Sequence, residues 1–299
     1  MKPSLLPACM EILALAIVGV AWAAEPTPAI SSAAIREALL TKARPAVTNL
    51  LADTERRLGQ PVVFRALPDN SPVAAASIFD TGRGEPLVEL RKDWEDVDVA
   101  HELMHLRMDL TEGFSVLAWR RKVERTAAAE AAFGRVQTYI NDEVVHRHLA
   151  DLGFKVEGEV IRPPLFDSVY TDAARYLEEG RDRANDGLAH LDAQGYGPLC
   201  RAAFLVQAEL LLQNYRSRLS PARLAQAQRF IAAFRQHRPE ESARADRVLE
   251  LFRRHDVQTP AGQRAILLAW AGQEGLEKYV GPTRYVRDGQ GQWILPFPE

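Results

Sequence analysis

Cysteine is nearly missing from this 299-residue chain: Cys9 and Cys200 are the only two. That is too few for a disulfide framework. Glycine and proline are also sparse, at 18 each, which excludes collagen-like and low-complexity architectures. Neither sign of charge dominates. The formal net charge is −3, so no general basic surface is available to hold nucleic acid or anionic lipid. Long apolar runs are absent except at the N-terminus. With 47% hydrophobic residues, however, the chain can bury a substantial core in one or two domains.

The single apolar run, Ile12 to Val20, follows a thin positive start at Lys2 and precedes Ala21-Trp22-Ala23, an A-x-A cleavage pattern. It is shorter than the ~20 residues of a spanning helix. The expectation is therefore a signal peptide over residues 1–23, cleavage near Ala23, and a secreted or periplasmic protein with no stable membrane span afterwards. Such cleavage removes Cys9 and leaves Cys200 alone. The apolar neighbours Leu199, Ala202, Ala203 and Phe204 mark Cys200 as a buried structural thiol rather than a nucleophile.

Beyond a short linker, Ile35 to Leu58 has the apolar spacing of helix, with Pro45 expected to kink or divide it. Three strand candidates follow, Pro61 to Leu67, Val73 to Phe79 and Pro86 to Leu90, each bounded by turn residues. Asp98 to Leu110 reads as one helix, and Val116 to Leu152 as one long helix or two shorter ones ending at Gly153. Pro163-Pro164 marks a boundary. Residues 168–274 give four or five amphipathic helices, and Tyr285 to Leu295, with Asp288-Gly289-Gln290-Gly291 at its centre, reads as a terminal hairpin. The expected class is α+β and helix-dominated. A small N-terminal sheet packs on the helix read at Asp98 to Leu110, and a helical C-terminal half follows. The corresponding units are 24–160 and 161–299.

One motif carries chemistry. His101-Glu102-Leu103-Met104-His105 is H-E-x-x-H. On a helix, positions i and i+4 share a face, so both imidazoles can hold one metal ion. Glu102 is turned toward the open side of that ion, where it can take a proton from water. Asp109 lies one further turn along. The helix rises ~6 Å from His105 to Asp109, too far for one ion to take all three residues, so Asp109 is expected at most to orient His105.

With the strand candidate Pro86 to Leu90 just upstream, residues 85–150 resemble the zincin metallopeptidases. In that superfamily an edge strand precedes the H-E-x-x-H helix and pairs with an extended peptide substrate. Met108 and Thr111 stand where metzincins carry Gly and His, so that branch is excluded. Gluzincins complete the site with a glutamate from a second helix, often as N-E-x-x. Asn141-Asp142-Glu143 is a near match with one residue inserted. The resemblance implies Zn2+ held by His101, His105 and Glu143, with Asp142 or His146 as alternatives for the third ligand and Glu102 as general base. His146, Tyr139 or Tyr170 would stabilise a developing oxyanion, and the C-terminal helices would form the far wall of the cleft.

The implied function is an exported zinc-dependent peptidase acting on peptide or protein substrates. The alternative is a non-catalytic helical binding or scaffold protein of the cell envelope, with a structural metal or none. Structural zinc sites are commonly closed by four protein ligands and rich in cysteine. The single mature cysteine therefore favours an open, catalytic site.

Overall fold

Pro45 divides the first helical stretch in two. The computed structural model describes residues 31–71, 74–80, 84–161, 171–179 and 197–298. In it α1 (Ser32–Lys42) ends before Arg44, and α2 (Pro45–Leu58) starts with the proline in its first turn, where no backbone N–H is needed. Gly59 ends α2 with φ +68°, a left-handed cap that glycine adopts without strain. The expected signal segment 1–23, the Pro163-Pro164 boundary and Tyr170 lie outside the described residues.

The three strand candidates form one sheet of order β1-β3-β2, from β1 (Val63–Ala66), β2 (Ala75–Asp80) and β3 (Glu85–Leu90). β1 pairs parallel with β3, and β2 pairs antiparallel with it, Ser77 opposite Val88. The strand immediately upstream of the motif helix is thus the central one, and the edge on its far side belongs to β2.

A short connection leads to α3 (Asp96–Thr111), the H-E-x-x-H helix. Its start is set by a reciprocal capping box between Glu95 and Asp98. Val97, Val99, Ala100, Leu103, Met104, Leu106, Met108 and Leu110 are all buried, so this helix is covered on nearly every side. It packs on α2 behind and on β2 and β3 beside it.

The stretch read as helix from Val116 departs from expectation. Val116–Trp119 is a strand, β4, and α4 (Ala127–Asp151) begins only after Thr126, whose hydroxyl caps it. β4 pairs antiparallel with β5 (Val280–Thr283), Val116 opposite Thr283. Val116, Leu117 and Trp119 are buried, and so short an apolar run suits helix or strand locally. The partner strand, more than 160 residues away, decides for extended chain.

Among the described residues the C-terminal half contributes α5 (Ala173–Glu178), α6 (Gly197–Tyr215), α7 (Pro221–His237), α8 (Pro239–Arg254) and α9 (Pro260–Gln273). Prolines in the first turn open α7, α8 and α9, and the Ser220 and Thr259 side chains cap α7 and α9. β6 (Val286–Arg287) and β7 (Trp293–Ile294) form the expected hairpin. Arg287 donates to the Leu58 carbonyl at 2.6 Å and ties that hairpin to the end of α2. One continuous apolar cluster runs from α1 through the sheet, α3 and α4 into α6 to α9. The class is α+β with helices dominant. No helix among the described residues is long and apolar enough to cross a membrane.

Candidate metal centre

α3 and α4 pack side by side, and three of their side chains converge. His101 and His105, one turn apart, bring their Nε2 atoms to 3.0 Å. Asp142 Oδ1, from α4, stands 3.4 Å from His105 Nε2 and 3.7 Å from His101 Nε2. Ligands on a tetrahedral ion with bonds of ~2.0–2.1 Å lie about 3.3 Å from one another. The three atoms therefore outline one face of such a tetrahedron, and the group can hold a metal ion.

The donor set fits a metal by a second criterion. Asp142 Oδ1 is buried without a hydrogen-bond partner, and so is Glu102 Oε2. Buried polar atoms are ordinarily satisfied, and an orphaned carboxylate oxygen is costly unless a cation comes to it. The surrounding field points the same way. Burial works to lower the His105 pKa, but Asp142, Glu102 and Asp109 outweigh it and push it up to about 9. Burial likewise works to raise Asp142, yet the neighbouring His105, His101 and His146 hold it below the usual carboxylate range. The cluster is a site that attracts positive charge.

Glu102 is 7% exposed and adjacent to both histidines without joining the triad. Desolvation raises its pKa, opposed by His105 and by the Ser77 hydroxyl on β2, which supplies it with a hydrogen-bonding partner. A carboxylate raised by burial is better matched to proton transfer near neutrality than a solvated one.

The expected third ligand is corrected by the geometry. Glu143 does not face the histidines. Its Oε1 accepts from Asn214 Nδ2 on α6 at 2.6 Å, and burial raises its pKa to about 7. Adjacent residues on a helix point about 100° apart, so when Asp142 faces α3, Glu143 is turned toward α6. His146, one turn beyond Asp142, stays close: its ring centroid is 5.9 Å from that of His101, and burial lowers its pKa below the usual imidazole value. Tyr139 is buried, with a partnerless hydroxyl and a pKa raised by desolvation. Cys200 is a buried free thiol, as expected.

Beside His105 opens a cavity of about 460 Å3. Its rim includes Ser77 of β2, and its walls are β4, one face of α4, and the terminal segment Leu295, Pro296 and Phe297. Among the described residues, none from the C-terminal helices lines this cavity. They wall a smaller pocket behind Asp142, through Val206, Leu210 and Phe252.

Two supports of the site have no sequence signal. Gln263 on α9 is fully buried. Its Oε1 accepts from Ser115 N at 3.0 Å, and its Nε2 donates to Ser115 O at 2.7 Å and to Asn141 Oδ1 at 2.8 Å. It clamps the start of β4 to the residue before Asp142. Gln137, on α4 itself, holds β4 two residues further on, accepting from Leu117 N at 2.7 Å. An isolated glutamine in an amphipathic helix gives no hint of either role. No family model, curated protein or solved structure matches the chain.

Proposed function

We propose that this protein is an exported zinc-dependent peptidase. His101, His105 and Asp142 hold the metal, and Glu102 is the general base. The observation that carries the reading is the buried Glu102 carboxylate, with Oε2 unpartnered, beside three donors spaced for one tetrahedral ion. A closed structural site has no use for such a carboxylate, whereas a hydrolytic one needs a base at that place. Zinc, when bound, supplies Lewis acidity and lowers the pKa of water toward neutrality.

The chain's own residues do the rest. The peptide lies extended along β2, whose Ser77 reaches the Glu102 carboxylate and lines the cavity beside His105. Main-chain pairing with a sheet edge holds a peptide without regard to its side chains. Glu102 accepts the proton of the attacking water and returns it to the leaving amine. His146, on α4 with its ring centroid 5.9 Å from that of His101, is the group available to a developing oxyanion. Export rests on the pattern of residues 1–23 alone.

The test is metal content together with hydrolysis of an unstructured protein. Protein purified without chelator is expected to carry about one zinc per chain. Chelation abolishes hydrolysis, and zinc restores it. Glu102→Gln keeps the metal while the rate falls at least ~100-fold. A chain that takes up no zinc, or one that holds zinc and hydrolyses nothing across a broad peptide library, refutes the reading.

A further inference from the structure

The cavity beside His105 joins apolar walls to carboxylates. Asp109, one turn beyond His105 on α3, lines it, and its Oδ1 is buried without a hydrogen-bond partner. Glu130 of α4 adds a second carboxylate to the lining. Among the described lining residues other than His105, Arg125 is the one basic side chain; it is exposed, its guanidinium 5.8 Å from the Trp119 ring centroid. Trp119 and Phe133, edge to face at 5.2 Å, supply flat apolar walls. A long aliphatic stem ending in a positive charge matches this lining from wall to floor. The volume lies within the ~300–1,000 Å3 of ordinary ligand pockets.

We propose that this cavity is a specificity pocket for a lysine or arginine side chain flanking the scissile bond, with Asp109 as the residue that pairs with it. The assignment rests on the peptidase reading and names its substrate class. An apolar side chain in the same place would leave the buried Asp109 Oδ1 unpaired. A basic side chain satisfies that carboxylate and fills the space between the rings. Sites built to pair a polar group discriminate strongly against analogues that lack it. Asp109 sits ~6 Å along the helix from His105, within reach of a lysine side chain whose backbone lies at the metal.

Binding of small hydroxamates to the zinc-loaded protein tests this without relying on turnover. Three residues are compared, lysine, Nε-acetyl-lysine and norleucine, each placed on either side of the hydroxamate. In at least one series lysine is expected to bind at least ~10-fold tighter than both others, and Asp109→Asn to abolish the difference while retaining zinc. The acetyl-lysine comparison uses wild-type protein, so it stands even if the variant folds poorly. Equal binding of all three, or a lysine preference that survives in Asp109→Asn, overturns the pocket assignment and leaves the peptidase reading intact. If no hydroxamate binds the zinc-loaded protein, the peptidase reading falls and the assignment falls with it.

Discussion

Asn214 donates to Glu143 at 2.6 Å, and that bond holds Glu143 toward α6, about 100° around α4 from Asp142. Asp142 is left to meet His101 and His105. Metal affinity should therefore separate two adjacent acids. Asp142→Ala is expected to weaken zinc binding by more than the ~10–100-fold typical of outer-shell changes. Glu143→Gln should stay within ~10-fold of wild type. Competition with a zinc-chelating dye measures both, and the reverse order would return Glu143 to the ligand set.

Removing the Glu143 carboxylate altogether should cost stability instead of metal. Glu143→Ala leaves the Asn214 amide without its acceptor in a buried contact between α4 and α6. An unsatisfied buried group costs ~1–3 kcal/mol. Urea unfolding of the metal-free protein should register a loss in that range, and Glu143→Gln should recover most of it.

Gln263 gives a sharper case. Three hydrogen bonds converge on one fully buried amide and join α9, the start of β4 and α4. Gln263→Ala strands both backbone groups of Ser115, for an expected loss of at least about 2 kcal/mol. Because Asn141 adjoins Asp142, zinc affinity should fall as well. Unchanged zinc affinity in a destabilised but folded variant would show that the clamp supports the fold alone.

Gly262 makes room for the turn that precedes α9. A Cβ there would lie 2.0 Å from the Asp256 carbonyl oxygen, a backbone atom that cannot swing aside. Gly262→Ala is expected to destabilise by about 2 kcal/mol or more, as overpacking does. Thermal unfolding beside the Ala261→Gly control, which adds no atom, checks it.

The pH dependence can be read from Cys200. Burial raises its thiol pKa, opposed by Arg135 and Arg201. In the unfolded chain a thiol ionises near ~8.5, so the folded state binds the proton more tightly. Stability from this source is complete below about pH 8.5 and declines as pH rises above it. Cys200→Ala should flatten that alkaline decline, and the native thiol should resist alkylation at pH 8 until the protein is unfolded. Rapid alkylation of folded protein would contradict the burial argument.

The local features were legible in the chain itself. The i, i+4 histidines need only a helix to share a face, and the capping box and apolar run of 95–110 mark that helix locally. Pro45 and Gly59 punctuate α2 through their own backbone limits, and the three short strands follow their turn residues. The identity of the third donor was of another kind. Asn141, Asp142 and Glu143 occupy three successive directions around α4, and only the packing of α4 between α3 and α6 selects which one meets the histidines. The same holds for β4, whose extended form depends on β5 at the far end of the chain, and for the cavity, whose terminal segment and Asp109 meet only in the folded protein. Periodicity along a chain determines which residues share a face of one element. Which face turns to which neighbour is decided by the burial of all elements together, and no single stretch of sequence encodes that.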